Sequence, residues 1–432
     1  MSNDASKGGV VRYLQEFSIP LIIGVAAALL AANLAPDWYH HWFGHWDEAH
    51  PPWSFPGSIL GHHLTIHFLV NDIFMVFFFG IAAKEITEAC LPGGSLNPMK
   101  KAINPLIATI GGVVGPVGVF FASMFLFRSM GIGGYDAVSP ERWSELINGW
   151  GVPTATDIAL AWLVARTVFG KSHPAVNFLL LLAVADDAIG LVIIAIFYGD
   201  PLHPADPMWL GLVVAGMAVA FALRKKNVQA WWPYIFVAGA LAWVGLMQAH
   251  LHPALALVPI VPFLPAPRRD TGLFSAEDEI DVMGEKTAED LGMGHSPLEN
   301  YEHQTKLFVD FGLFFFAMAN AGVVMGKVGA LTYAILAALV IGKTIGIGGL
   351  GLLAQAIGFP LPNGMNNRDL LMAAFIAALG LTVALFVSGA AYQDLGLQGE
   401  AKMGALASGL VAFVAIGLGK AMGFGKSAAS KT

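Results

Sequence analysis

Charge is scarce in this chain. Asp, Glu, Lys and Arg make up 12% of its 432 residues, about half the share of an ordinary soluble domain. Cysteine is nearly absent, Cys90 standing alone, which excludes an internal disulfide framework and a thiolate metal cluster. No Gly-x-x-x-x-Gly-Lys-Ser/Thr loop occurs, so nucleotide hydrolysis is not expected as an energy source. The net charge of -7 argues against nucleic acid as a partner.

What is present is apolar. Hydrophobic residues reach 56%, against about 45–50% in soluble proteins. They fall in blocks of about 20, the length that crosses a bilayer as a helix. Length alone would give about three soluble domains, and the blocks overrule it. Fifty glycines and 29 phenylalanines fit close-packed membrane helices with lipid-facing rings.

Twelve spans are predicted, near 18–35, 65–88, 102–127, 150–167, 174–198, 208–223, 231–249, 252–265, 305–325, 329–356, 369–392 and 403–421. The first reads as a retained helix rather than a signal peptide. The eighth is short and broken by Pro253, Pro259 and Pro262. With the N-terminus cytoplasmic, eighteen of the 23 basic residues fall on one set of loops. Arg128, Arg142, Lys327 and Lys402 fall on the other, and Lys343 lies within a span. Basic residues favour cytoplasmic loops, so both termini are expected inside.

Two loops stand out. Residues 36–63, rich in Trp, His and Pro, face outward as an interfacial cap or small hairpin and are a candidate homodimer contact. Their histidines, His40, His41, His45, His50, His62 and His63, lack backing from cysteine or carboxylate and read as adventitious rather than true metal ligands. Residues 268–301 form the longest inner loop, with an acidic run from Glu277 to Asp290 that cannot bury a core.

A charge at the centre of a membrane helix costs at least about 2.5–3.5 kcal/mol, so ionisable residues inside apolar blocks are the functional candidates. Asp157, Asp186, Asp187 and Lys343 qualify, with Asp72 nearer a membrane face. Asp186 and Asp187 sit mid-span in AVADDAIG (183–190). Adjacent helix positions point about 100° apart, so both acids can face one cavity without sharing one place. Paired carboxylates in a low dielectric hold cations or protons interchangeably, since neither tolerates being left bare. The bland alternative is that one merely pairs with a lysine and holds the bundle together.

Pro153, Thr154 and Thr156 interrupt the fourth span just before Asp157. Gly380 and Thr382 make a matching soft point in the eleventh. Free backbone groups at membrane depth are tolerated only where they line protein or water. The two breaks imply an inverted repeat of spans 3–5 on 10–12. Asp157 is placed to neutralise helix N-termini and Lys343 to neutralise C-termini. Lys343 lies too deep to snorkel and requires an acidic partner, Asp186 or Asp187.

These motifs together resemble the NhaA family of sodium/proton antiporters, itself a standard example of inverted repeats and broken helices. The likeness runs over roughly 65–422 and includes VNDIFMVFFF (70–79), GWGVPTATDIA (149–159), ADDAIG (185–190), LHPALA (251–256), AMANAGV (317–323), IGKTIGI (341–347) and LGLT (379–382). It implies a single all-α integral membrane transporter domain over 1–432, with twelve helices and spans 4 and 11 broken at the midplane. It implies Na+ or Li+ exchanged for protons across a bacterial inner membrane, two protons per sodium, with no cofactor and no enzymatic activity.

Asp187 would be the principal ion carboxylate, and Asp186 would share the Na+ site and alternate between proton and Lys343. Asp157, Thr156 and Thr382 would form the helix crossing. Asp72, Glu85, His252 and Glu302 would serve ion entry or pH response. The chain departs from the family at GIAAKEITE (80–88), at Val383-Ala384 and in the length of the 268–301 loop.

Three rivals are weighed. A sodium-coupled symporter of an organic anion on a similar architecture would want a roomy polar cavity. An intramembrane aspartyl protease would want its acids on separate helices, and here they are adjacent on one. A non-transporting sensor would be separated by tracer flux.

Overall fold

The computed structural model describes residues 18–44, 50–92, 94, 96, 99–171, 173–199, 204–266 and 296–424. His45 and residues 268–295 of the expected acidic loop lie outside this set. The loop also ends earlier than expected, since Pro297 already begins a helix.

In chain order the helices are α1 (Ile19–Leu34), α2 (Pro36–Phe43), α3 (Ile66–Ala89), α4 (Met99–Ser129) and α5 (Pro140–Ile147). The last runs on as a tighter turn over Asn148–Thr154. Then come α6 (Ile158–Phe169), α7 (Pro174–Phe197), α8 (Pro207–Lys225) and α9 (Tyr234–Gln248). They are followed by α10 (Pro297–Asn320), α11 (Ala330–Ala356), α12 (Asn367–Ile376), α13 (Thr382–Ala391), α14 (Leu395–Ser408) and α15 (Leu410–Ala421). Within 252–265, expected as the eighth span, the chain forms two 3-10 turns, Pro253–Leu257 and Val261–Phe263. The cause is local, because a proline removes the N–H that a regular helix would use.

Among the described residues, six helices are long and apolar enough to cross a membrane, and the bent pair Pro140–Thr154 and Ile158–Phe169 makes a seventh. Their exposed faces are apolar: Phe413 is 76% exposed and Ile345 64%. Large exposed apolar surfaces of this kind suit lipid rather than water. The chain is a helical, multi-pass membrane protein. Residues 54–65, which overlap the end of the 36–63 segment, form two antiparallel strands, β1 (Ser54–Ile59) and β2 (His62–Thr65), with Ser54 opposite Thr65. This hairpin turns through Leu60 and Gly61, both at positive φ.

Contacts gather the described residues into two compact units, one drawn from 18–39, 103–190 and 317–424, the other from 40–102 and 191–316. In the first unit, α4 and α11 approach through small residues. A Cβ at Gly111 would collide with the Gly346 carbonyl, and one at Gly115 with that of Gly342. Two glycines four apart on each helix bring the backbones together, the recurrent device of membrane helix pairs. Pro116 lies against Gly342 at this seam. A single wide π-type turn, Ala338–Gly342, then leads into Lys343. Such a turn adds a residue to the helix and rotates the residues beyond it.

Candidate functional site

The site is built from two interruptions in the first unit. After Thr154 the chain leaves the helical conformation, with Ala155 extended and Asp157 at φ -77°, ψ 102°. Residues 377–381 separate α12 from α13 in the same way. The segments cross and touch: the Asp157 N–H donates to the Leu379 carbonyl at 2.7 Å. The crossing is close at Gly380, where a Cβ would lie 2.7 Å from the end of the Leu339 side chain and 3.1 Å from the Ala155 carbonyl oxygen.

Each half-helix that starts at the crossing carries unpaired N–H groups and a partial positive charge. One side chain answers both. Asp157 Oδ1 accepts the Leu160 N–H at 3.0 Å, at the start of α6. Its Oδ2 accepts the Thr382 N–H at 3.1 Å, at the start of α13, and the Thr382 hydroxyl as well. On the carbonyl side, Thr156 Oγ1 lies 3.1 Å from the Ala377 carbonyl and 2.8 Å from Asp186 Oδ2. A hydroxyl has one hydrogen, so Thr156 serves one of these acceptors at a time.

Lys343 and Asp186 are both wholly buried and form an ion pair. Lys343 Nζ also donates to Thr156 Oγ1 at 2.6 Å. Of the two acids offered by the sequence, the lysine takes Asp186. The carbonyl end at Ala377 is met by Thr156 rather than by the ammonium directly. Asp186 Oδ1 is buried without a hydrogen-bond partner, and a Cβ on Gly112 would lie 3.7 Å from it. The absence of a side chain at Gly112 keeps that oxygen approachable. Asp187, one position on, is 8% exposed and within electrostatic reach of Lys343.

Two carboxylates and one ammonium therefore share a buried region beside four helix ends. A bare carboxylate oxygen there is costly, and a small cation or a proton relieves the cost equally. The sequence model of the family described as Na+/H+ antiporter 1 matches residues 10–418. The chain belongs to the Na+/H+ antiporter 1 family.

Relatives named as Na(+)/H(+) antiporters match most of the chain. The chain is 56% identical to the Na(+)/H(+) antiporter NhaA of Desulfitobacterium hafniense (strain DSM 10664 / DCB-2) over 417 residues, 96% of this chain and 97% of that one. It is 54% identical to the Na(+)/H(+) antiporter NhaA of Geobacter sulfurreducens over 412 residues, 95% and 97% of the two chains. It is 42% identical to the Na(+)/H(+) antiporter NhaA of Jannaschia sp. over 378 residues, 83% of each.

The remaining residues singled out in this family member lie in the second unit. Asp72 sits in a π-type turn of α3, Leu69–Phe74, and its carbonyl accepts the Trp243 indole N–H at 2.7 Å. Glu302 on α10 pairs with Lys84 on α3, and Lys84 also meets Glu88 at 2.6 Å. Lys306 lies 3.7 Å from Glu302. Glu85 is half-buried near this network. His252 caps the 3-10 turn beginning at Pro253, Nδ1 accepting the Ala254 N–H at 3.3 Å. The structure thus joins Glu302 to Lys84, a lysine whose sequence signal is only that of one more basic residue near a span end.

Several contributors have no sequence signal strong enough to find them. Ser408 accepts the Gly380 N–H at 3.2 Å, a third helix bracing the crossing. Tyr392 is wholly buried. Its hydroxyl donates to the Leu146 carbonyl at 2.9 Å and accepts the Gly149 N–H at 3.0 Å. It thereby ties the end of α13 to the helical turn that precedes the first break. Lys402, expected on a loop, instead lies inside α14 and is 5% exposed.

Proposed function

We infer that this chain exchanges Na+ for protons across a membrane, with Asp187 and Asp186 as the ion site. The observation that carries this reading is the Lys343–Asp186 pair, buried beside Asp187 at the crossing of two broken helices. The symporter alternative is not proposed again, since the relatives compared carry antiporter names.

Coupling follows from competition. Without Na+, Asp187 holds a proton, and Asp186 is balanced by the ammonium of Lys343. A Na+ ion arriving from the open side displaces the first proton and takes Asp186 from the lysine. Deprived of its counter-charge in a dry core, Lys343 releases a second proton. Thr156 then turns its hydroxyl hydrogen towards the Ala377 carbonyl and leaves its lone pairs to the ion. Release of Na+ on the opposite side reverses each step. Two protons against one Na+ move one net charge, so exchange is electrogenic. Li+, of the same charge and smaller size, uses the same ligands.

Asp157 holds the crossing together through both half-helix starts, and Thr382 supplies the matching donor. The family resemblance supports a finer picture. In it the twelve spans form one transporter domain, spans 3–5 and 10–12 are inverted copies, and both termini face the cytoplasm of a bacterium. The outer 36–63 segment, which carries β1 and the start of β2, provides the contact for a homodimer. Asp72, Glu85, His252 and Glu302 tune ion entry and response to pH.

The test is Na+-driven proton flux in proteoliposomes with an interior pH dye. Wild-type flux should build a membrane potential, and Asp187→Asn should abolish flux while the protein remains folded. Unaltered transport by the variant would end the site assignment.

A further inference from the structure

Lys402 is a buried cation that the exchange mechanism leaves unused. Its side chain is 5% exposed, and among the described residues no hydrogen bond or ion pair reaches its Nζ. Its place on α14 is read from Gln398, one turn earlier and on the same face, which donates to the Gly389 and Tyr392 carbonyls. Lys402 therefore lies within about 40° of the side that packs on the end of α13, whereas Ser408, six residues later, points about 120° away.

The segments packed most closely against α14 are the turn at Asn148–Thr154, the stretch Ala330–Gly342 and α13, with Arg142 of α5 paired to Asp394 at the first turn. The one ionisable group of those three segments is Tyr333, which is 58% exposed and so faces away. Lys327, packed on Gly399, brings a further positive charge to the start of α14 rather than a counter-ion. On α14 itself, Glu400 is engaged with the Leu331 N–H, and Asp394 caps the first turn. Glu400 and Lys402 are two positions apart and point about 200° away from each other around the helix. No carboxylate of these segments faces the amine.

An unpaired ammonium in such surroundings is strongly disfavoured, whereas a neutral amine is tolerated. We propose that Lys402 is a proton-binding site of the first unit, uncharged in the arrangement seen here and protonated in a turnover conformation that admits water to it. The step is simple: the amine lone pair takes a proton from hydronium, an N–H bond forms and water is left. The conformation that wets Lys402 is thereby favoured at low pH and the dry one at high pH. This inference rests on the exchange reading, because its readout is the pH profile of exchange.

The experiment compares wild type with Lys402→Met, which fills the space without a titratable group, and Lys402→Arg, which keeps its charge at all working pH values. Each is reconstituted and assayed for Na+-driven proton flux from pH 5 to 9, with gel filtration and Na+ binding as folding controls. Lys402→Met should keep its plateau rate within about 3-fold and shift its half-maximal pH by about half a unit or more, because one linked proton has been removed. Lys402→Arg should turn over at least about 10-fold more slowly at every pH, since its charge cannot enter the dry arrangement.

If Lys402→Arg does not fold, the Lys402→Met profile decides alone. A Lys402→Met profile superimposed on that of an active wild type overturns the proposal. So does a wild-type midpoint that tracks chloride concentration and loses this dependence in Lys402→Met, which would make the site one for a small anion. A wild type with no exchange would instead overturn the antiport reading on which this rests.

Discussion

The backbone N–H of Thr382 donates to the carboxylate of Asp157, and that carboxylate also accepts the N–H of Leu160. Two half-helices from distant parts of the chain therefore start on one side chain. Asparagine at 157 would keep one acceptor and present an N–H group where an acceptor is needed. A buried donor left facing a donor costs about 1–3 kcal/mol. Asp157→Asn should lower thermal stability in detergent by that order and slow exchange at least about 10-fold, a cost of about 1.4 kcal/mol in the barrier.

Breaking the buried pair should cost more than removing it. Lys343→Met leaves Asp186 buried without its counter-charge, which costs up to about 3–5 kcal/mol. Adding Asp186→Asn should return much of that stability without restoring electrogenic exchange. Thermal unfolding of the two single variants and the double variant completes the cycle, and additive losses would contradict a direct pair.

Gly346 tests the close approach of α4 and α11. A methyl group there meets the Gly111 carbonyl, and backbone cannot yield as a flexible side chain does. Gly346→Ala should destabilise by about 1–3 kcal/mol. It should also displace Lys343, so weakened Na+ binding is expected alongside the lower melting temperature. Gly349→Ala on the same helix, where nothing lies within 4 Å, is the control that should leave both unchanged.

Asp394 gives a pH dependence outside the spans. The Leu397 N–H, then the Gly396 N–H and the Arg142 guanidinium, hold its carboxyl below the usual carboxylate range. Arg142 lies 3.1 Å from it. A carboxyl depressed in the folded state stabilises fully above its unfolded pKa, near 3.9, and the contribution fades as pH falls through the folded value. Asp394→Asn keeps the cap and removes the charge. Its stability deficit should be present at pH 7 and shrink below about pH 4, as monitored by thermal unfolding across pH.

The buried charges are the most legible part of the sequence. Asp157, Asp186, Asp187 and Lys343 stand out because a charge inside an apolar run is expensive wherever the run folds. Which acid Lys343 meets is not legible. Asp186 and Asp187 differ by a rotation of about 100°, and the choice depends on the π-type turn at Ala338–Gly342 and on glycine packing across two helices. Lys402 is easily misplaced because Glu400 and Gln398 make its neighbourhood read as a loop. Asp394, in capping position before Leu395, is the signal that a helix has already begun. Ser408 and Tyr392 carry no mark of their own, since their partners are backbone groups exposed only by breaks elsewhere in the chain.

The central claim is that Na+ and protons contend for the same two carboxylates. Its most direct test is Na+ affinity of the purified protein, measured by calorimetry between pH 5 and 9 in buffers of different ionisation enthalpy. On this account the dissociation constant falls by about one to two decades per pH unit on the acid side, with a matching release of protons. Asp187→Asn should remove the steepest part of that dependence. A wild-type affinity that is independent of pH, with no protons released on binding, would contradict competition at Asp186 and Asp187 and require coupling through separate sites.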